Sequence, residues 1–187
     1  MVLLSIEEIS KTLKDAPLFE HVTFGMEEGE RIGVVGPNGC GKSTFLKILA
    51  GRLPADTGTI ATARELTVSL LDQRPEYSLG QNVSDCLLAS DHPTIALLRE
   101  YHTLVHEHHR DTHASTQKLH ELLETIERLH GWEIETRYAS YLSELQGPSL
   151  DTPMNQLSGG MLKKVALARV VAPKPSLMLL DEPTNHL

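Results

Sequence analysis

The feature that most constrains this chain is residues 36–43, which read Gly-Pro-Asn-Gly-Cys-Gly-Lys-Ser and have the spacing G-x-x-x-x-G-K-[ST]. An apolar run at residues 32–35 precedes this segment, and the residues after it are spaced as in a buried helix. The apolar positions of that helix are Phe45, Leu46, Ile48 and Leu49. We therefore predict a strand at 32–35, a glycine-rich turn and a helix, the context in which this spacing forms a phosphate-binding loop.

The composition of this loop favours binding of a phosphate chain. Its glycines permit close approach and unusual backbone angles, so N–H groups and the positive end of the following helix can face phosphate oxygens. Lys42 supplies a point charge for the β and γ phosphates, and the Ser43 hydroxyl is an expected Mg²⁺ ligand. The alternative, a glycine turn before an ordinary helix, fits this context less well. The predicted nucleotide-binding residues are Gly36, Pro37, Asn38, Gly39, Cys40, Gly41, Lys42, Ser43 and Thr44.

A second part of the same site is predicted near the end of the sequence. Residues 176–180 form a short apolar run that suits a central parallel strand, and Asp181 and Glu182 follow it. Open α/β sheets place their chemistry at the carboxyl ends of their strands. We predict that Asp181 holds Mg²⁺ and that Glu182 polarises the water that attacks the γ phosphate. Acidic residues after a strand can also form only a turn, but the phosphate loop favours the catalytic interpretation.

A further anion site is predicted where a long helix begins after a glycine pair. The helix covers residues 161–171, and its start presents Leu157, Ser158, Gly159 and Gly160. Glycines again allow close approach, and the free N–H groups and the helix dipole favour negative charge. A simple glycine cap would explain this pattern equally well if it stood alone.

The remaining segments indicate an α/β fold with a helical insert. Residues 2–9 and 21–26 are predicted strands of an antiparallel β subdomain, and a β-prone segment at 66–71 ends at Asp72 and Gln73. From Asn82, a residue suited to capping a helix, apolar residues recur at helical spacing, with a polar interval at 106–117 as the tip of a hairpin. We assign residues 1–81 to the β subdomain and a mostly parallel P-loop NTPase core. The helical insert is 82–152, and residues 153–187 return to the same nucleotide-binding domain.

The insert also contains histidines at metal-binding spacing. The pairs His102/His106 and His109/His113 lie four residues apart, so each could place two imidazoles on one metal. No cysteine or His-Glu-x-x-His motif completes a ligand set nearby. A solvated helix tip is therefore the favoured interpretation.

Composition limits the partners and the location. The net charge of −8 argues against binding nucleic acid through the overall field, although a local basic patch could contact RNA phosphates. No run of eighteen apolar residues occurs, and the first residues lack the pattern of a signal peptide. We therefore expect a cytoplasmic protein without direct membrane insertion.

Taken in order, these motifs resemble the ATP-binding cassette (ABC) superfamily over essentially the whole chain. The segments at 157–169 and 181–187 are similar to the ABC-F branch, whose members carry two cassettes on one polypeptide and mostly act on ribosomes. The resemblance implies ATP as substrate with Mg²⁺, and a Gln73 that contacts the metal and the attacking water. It also implies that residues 157–160 contact ATP held by a second cassette. At the position where the family usually has an aromatic residue that stacks on adenine, this chain has Leu13. Phe19 is a candidate substitute for that role.

The resemblance leaves alternatives open. The chain stops before the family's usual switch histidine and second cassette, so it resembles the first part of a longer protein, truncated at the C-terminus. The first hypothesis is an ABC-F ATPase module that closes on a partner, with the ribosome as the expected partner and a role in translation. The second is the ATPase subunit of a membrane transporter. The third is a nucleotide-binding fragment with little turnover.

Overall fold

A computed structural model describes residues 1–14, 16–72, 77–78, 80–90, 92–107 and 113–182, with the backbone alone for 106, 107 and 113–115. The described residues form two compact units. The first unit contains residues up to 72 together with 175–182, and the second contains the described residues between 77 and 174. The long helix after the glycine pair lies in the second unit. The assignment of residues 153–187 to one nucleotide-binding domain stays a prediction.

The first unit begins with an antiparallel sheet of strands β1 (Val2–Leu13), β2 (Ala16–Glu27) and β3 (Thr57–Thr62), with β1 in the centre. Leu4, Ile6 and Ile9 of β1 are fully buried. Strict alternation would place Ile6 and Ile9 on opposite faces, but the pairing register shifts between them, and Glu8 has a φ of 51°. This irregularity adds a residue to the strand and returns Ile9 to the buried face.

Helix α1 (Lys42–Leu49) and a parallel pair, β4 (Val68–Leu71) with β5 (Leu177–Leu180), complete the first unit. The predicted apolar face of α1 is buried in one cluster with β1 and the parallel pair. The fully buried side chains of such a cluster each contribute about 1.5–3 kcal/mol. The members of the cluster are Leu4, Ile6, Ile9, Phe45, Leu46, Ile48, Leu49, Leu70, Leu177 and Leu179.

The strand that sequence analysis places at residues 32–35 is not formed, so that prediction is wrong. This segment has no strand assignment, and its apolar side chains are exposed, with Val35 at 92%. Strands need neighbours that accept and donate backbone hydrogen bonds. In the described part of the chain, β4 pairs with β5 and the other sheet consists of β1, β2 and β3, so neither sheet includes residues 32–35.

The second unit is helical. It contains α2 (Val83–Leu88), α3 (Pro93–Glu107), α4 (His113–Arg128), α5 (Gly131–Glu144), a 3₁₀ turn (Met154–Gln156) and α6 (Gly159–Val171). Asn82 caps α2 as predicted, because its side chain accepts from the N–H of Asp85 while the Asp85 carboxylate accepts from the N–H of Asn82. One buried cluster joins these helices, and it contains Val83, Cys86, Leu87, Ile95, Leu98, Ile126, Ile134, Tyr138, Leu142, Met154, Val165, Ala168 and Ala172.

The predicted helical hairpin corresponds to α3 and α4, with a shorter polar interval than expected because α3 continues to Glu107 and α4 begins at His113. The helical spacing of Leu122, Ile126 and Leu129 predicts one apolar face, but Leu129, the residue after α4, is 48% exposed. Gly131 follows directly after the turn that ends α4. A Cβ at Gly131 would lie 2.8 Å from Cγ2 of Ile126, so the close packing of α4 on α5 needs glycine there.

The histidine pairs are only partly described. Nε2 of His102 lies 2.6 Å from Oε1 of Glu135, and the side chains of His106, His109 and His113 lie outside the described residues. Among the described residues, no group of three or more His, Cys, Asp or Glu side chains is placed to hold a metal ion. Within the same residues, no helix has both the length and the apolar character needed to cross a membrane.

Candidate nucleotide site

The loop at residues 36–41 turns directly into helix α1. Gly39 and Gly41 have φ values of 85° and 100°, which residues with a Cβ rarely adopt. Gly41 is the N-cap of α1 and has no side chain to accept from the first-turn N–H groups. The start of α1 therefore offers N–H donors and the positive end of the helix dipole to an anion.

Strand β2 lies directly behind this loop. A Cβ at Gly41 would lie 3.0 Å from Cβ of Leu18 and 3.4 Å from Cδ1 of Phe19. A Cβ at Gly36 would lie 2.8 Å from Sγ of Cys40, inside the loop itself. Gly41 is therefore favoured both by its backbone angles and by the close approach of β2, whereas at Gly36 the side chain of Cys40 would have to move.

Lys42, the first residue of α1, is folded back onto the loop. Its Nζ donates to the carbonyl oxygens of Gly36, at 2.8 Å, and Pro37, at 3.1 Å. The ammonium group is thereby held beside the segment whose N–H groups would cradle phosphate. A lysine side chain has a flexible four-carbon stem. Its ammonium group can therefore replace the hydrogen bonds to these carbonyl oxygens with hydrogen bonds to phosphate oxygens while the loop keeps its conformation. Ser43 is exposed in the same first turn, and Thr44 is half-buried.

The acidic pair follows β5, in the same compact unit as the loop. The N–H of Asp181 donates to the carbonyl oxygen of Leu71 at 3.1 Å, which extends the pairing of β5 with β4 by one residue. Asp181 is 6% exposed. Glu182 is half-buried and has a φ of 47°. Burying a carboxylate costs free energy unless a positive charge or hydrogen bonds compensate for it. Asp181 is therefore suited to bind a cation.

The side-chain oxygens of Asp181 and Ser43 are of the chemical kind that binds a magnesium ion. Mg²⁺ prefers a few protein oxygens and keeps several waters. The carboxylate of Asp181 and the hydroxyl of Ser43 are donors of this kind within one compact unit. Gln73, the third predicted metal contact and a predicted catalytic residue, lies outside the described residues.

The predicted second anion site lies in the other compact unit. Oγ of Ser158 accepts from the N–H of Met161 at 3.3 Å and so caps α6. Gly159 and Gly160 are exposed, and a Cβ added at either glycine would meet nothing within 4 Å. Leu157 packs against the buried cluster of the helical unit. The helix start is therefore anchored through Leu157 while its glycines are open to an approaching molecule.

The two candidate adenine contacts differ in environment. Phe19 packs edge to face on Phe45, with ring centroids 5.4 Å apart and an interplanar angle of 86°. Its ring is thus engaged in the core around α1. Leu13 is 57% exposed at the end of β1. An adenine ring at this end of the sheet would meet an aliphatic side chain at Leu13, because Phe19 is already packed.

Sequence reasoning missed a charged contact beside the site. Asp72, the residue after β4, forms ion pairs with Arg52 and Lys47 from the end of α1. Arg52 and Asp72 lie 20 positions apart in different elements, so no helical or strand period connects them. The adjacency of Asp72 to the predicted Gln73 was the one available signal.

A glycine-capped helix carrying Lys42, with a buried acidic strand end in the same unit, defines a P-loop nucleotide-binding cassette. The family model described as "ABC transporter" matches residues 19–185. The chain therefore belongs to the ABC transporter family, and the predicted resemblance to its ABC-F branch is confirmed by relatives that cover the chain.

Three curated relatives carry this comparison. "Uncharacterized ABC transporter ATP-binding protein YfmR" of Bacillus subtilis is 37% identical over 100% of this chain and 30% of that protein. "Energy-dependent translational throttle protein EttA" of Mycobacterium tuberculosis is 31% identical over 98% of the chain and 33% of that protein. "ABC transporter F family member 2" of Arabidopsis thaliana is 29% identical over 97% and 28%. The chain thus spans about a third of the length of these relatives.

Solved structures support the predicted fold class. The dimeric post-hydrolysis structure of the ATP-binding cassette MJ0796, bound to ADP and Pi, has a TM-score of 0.64 with this chain. The match covers 99% of the chain and 76% of that cassette at 19% identity. The α/β cassette fold, with antiparallel and parallel sheets and a helical part, is confirmed.

Proposed function

We propose that this chain binds ATP with Mg²⁺ and, within the complete protein, hydrolyses it to drive closure on a partner. The observation that carries this proposal is the glycine-capped start of α1, with Lys42 held on the loop carbonyls, in one compact unit with the buried Asp181. Lys42 and the N–H groups of the loop bind the phosphates. Ser43, Asp181 and Gln73 would hold the metal, which would supply positive charge to the phosphate oxygens.

Glu182 is the proposed general base. It follows Asp181 directly, just after the end of β5, and we propose that the attacking water lies beside it. Its carboxylate orients that water and takes its proton as the bond to phosphorus forms. For the 187-residue chain by itself we expect ATP binding with little turnover. A steady ATPase rate in the purified chain that Glu182→Gln abolishes would contradict this expectation.

A second cassette completes the proposed site. Ser158, Gly159 and Gly160 contact the ATP held by the opposing cassette, because their open surface lets a phosphate chain approach the start of α6. The cassette MJ0796, which has a similar fold, is dimeric, and this supports pairing with a second cassette. The partner is a second cassette on the same polypeptide or another copy.

Two cysteines allow nucleotide binding to be tested directly. Cys40 lies in the loop and is half-buried, whereas Cys86 is buried in the helical unit, where burial raises the pKa of its thiol. We expect ATP with Mg²⁺ to slow alkylation of Cys40, with Cys86 reacting slowly throughout. Peptide mass spectrometry after timed alkylation measures both. Equal rates at Cys40 with and without ATP would contradict the proposal.

The proposed partner is the ribosome, in the cytoplasm. The name of the EttA relative, a translational throttle protein, supports this assignment. We expect the complete protein to sediment with ribosomes in the presence of a non-hydrolysable ATP analogue and to be released with ADP. The family description also fits the ATPase subunit of a membrane transporter. Copurification with a membrane protein, without ribosome sedimentation, would establish that function instead.

A further inference from the structure

The ion pair between the end of α1 and the end of β4 joins the two halves of the candidate site. Nη1 of Arg52 lies 2.5 Å from Oδ2 of Asp72, and Nζ of Lys47 lies 3.9 Å from Oδ1. Both oxygens of the Asp72 carboxylate thus face a cation. All three side chains are partly exposed, with Asp72 at 28%.

The α1 end of this contact is fixed by the helix itself. Gly51 has a φ of 70°, and its N–H donates to the carbonyl oxygen of Ile48. The N–H of Arg52 donates to the carbonyl oxygen of Lys47. These two bonds form the Schellman motif that ends a helix. The backbone of Arg52 is therefore a rigid extension of the helix that begins at Lys42.

The β4 end is fixed to the acidic pair. Asp72 follows Leu71, and the carbonyl oxygen of Leu71 accepts from the N–H of Asp181 at 3.1 Å. A shift of the end of β4 would therefore shift the backbone of Asp181. The Arg52–Asp72 contact thus connects the helix that carries Lys42 and Ser43 to the strand end that carries the buried carboxylate.

We propose that the Arg52–Asp72 ion pair is a positioning contact that sets α1 against the ends of β4 and β5, so that Ser43 and Asp181 reach the same Mg²⁺. This inference rests on the proposed ATP binding. Partly exposed ion pairs contribute little to stability. Mg²⁺ demands near-ideal octahedral geometry with ligand distances of about 2.0–2.1 Å. A small displacement of one ligand therefore weakens Mg²⁺ binding. Loss of the pair should therefore affect metal-dependent binding more than folding.

The measurement is the Mg²⁺-dependent gain in ATP affinity, the ratio of the dissociation constants in EDTA and in excess Mg²⁺. Arg52→Met is the decisive variant. Removing a positive charge would by Coulomb attraction alone strengthen Mg²⁺ binding, whereas loss of positioning weakens it. We expect this variant to reduce the gain about 5-fold to 10-fold, with the affinity in EDTA and the urea midpoint close to wild type.

Three further variants and one control complete the test. Asp72→Asn also removes the contact with Lys47, so it should reduce the gain by at least the factor of Arg52→Met, and the double variant by no more than Asp72→Asn alone. Arg52→Lys should restore part of the gain. The matched control is Lys11→Met, which breaks the Lys11–Asp56 pair at 2.5 Å in the same unit and should leave the gain unchanged.

Several outcomes separate this inference from simpler explanations. A wild-type gain in Arg52→Met, with a loss in Asp72→Asn alone, would mean that Asp72 acts through its own charge or through Lys47, and would overturn the inference. Equal losses in EDTA and in Mg²⁺, with a lowered urea midpoint, would mean a purely structural role and would also overturn it. Absence of ATP binding in the wild-type chain would instead refute the proposed function.

Discussion

The first unit, which contains the candidate nucleotide site and is called the nucleotide unit below, relies mainly on its backbone for function. The second, helical unit relies mainly on buried side chains for stability. In the nucleotide unit, the candidate site uses backbone N–H groups, glycine angles and a few charges near the surface. In the helical unit, one cluster of buried side chains joins the helices. Residues 82–152 also contain 12 of the 25 acidic side chains and only 5 of the 17 basic ones, so the remainder of the chain is close to neutral. Changes in the two units should therefore have separable effects.

The largest expected effect is on the stability of the helical unit. Ile126 is fully buried and lies against Gly131, so Ile126→Ala should lower the free energy of unfolding by about 2–5 kcal/mol. Leu129→Ala, at the exposed residue that follows α4, should change it by less than about 0.5 kcal/mol. Urea unfolding measures both. An equal loss in the two variants would mean that α4 is not packed as described.

The complementary change in the nucleotide unit is Lys42→Ala. Hydrogen bonds to a charged group contribute about 1.5–3 kcal/mol, so ATP affinity should fall by roughly 10-fold to 150-fold. Lys164→Ala, which removes a lysine bound to the carbonyl oxygen of Gln146 in the helical unit, should leave ATP affinity unchanged. Calorimetric titration measures both affinities. If both lysines matter equally for ATP, the comparison between the units fails.

A smaller effect is expected at the end of β1. Leu13→Tyr places an aromatic ring where the resemblance expects adenine, and aromatic stacking contributes about 0.5–1.5 kcal/mol. ATP affinity should rise by up to about 10-fold. Leu53→Tyr adds the same ring at another exposed leucine of the unit and serves as the control. Unchanged affinity in Leu13→Tyr would show that adenine binds elsewhere.

The smallest effect concerns the pH dependence of the helical unit. Nδ1 of His92 is buried without a hydrogen-bond partner among the described atoms, and burial, followed by the nearby charge of Arg137, lowers the pKa of His92 below 6.5. In mild acid the unfolded chain therefore binds more protons at this position than the folded chain. The His92 contribution lowers the free energy of unfolding as pH falls from about 6.5 through the lowered pKa, and it vanishes above that range.

His92→Gln removes this contribution, so the variant should lose less stability than the wild type between pH 7 and pH 5. The difference between the two curves isolates His92 from the other histidines. Urea midpoints at several pH values provide the measurement. Parallel curves would show that the imidazole is protonated equally in both states.

Sequence reasoning succeeded where a signal is local. Asn82 before an apolar run, the glycine pair before a long helix and the short apolar run of β5 each determine a cap or an element from a few neighbouring residues. The glycine loop was predictable for the same reason, because its spacing encodes the turn and the helix start.

Features that depend on distant neighbours were not predictable. Residues 32–35 have the composition of a buried strand, but a strand forms only beside partners, and composition does not reveal whether they are present. The Arg52–Asp72 pair depends on how α1 meets the end of β4. The exposure of Leu129 depends on where α4 ends, which helical spacing alone does not fix.

The uncovered segment at residues 32–35 has a practical consequence for handling the protein. Ile32, Val34 and Val35 combine high strand propensity with apolar surface, and solvent reaches all three. Such a stretch invites intermolecular addition of strands and slow aggregation in concentrated samples. Light scattering of the purified chain should therefore increase with concentration, and Val35→Lys, which adds a charged gatekeeper, should suppress that increase.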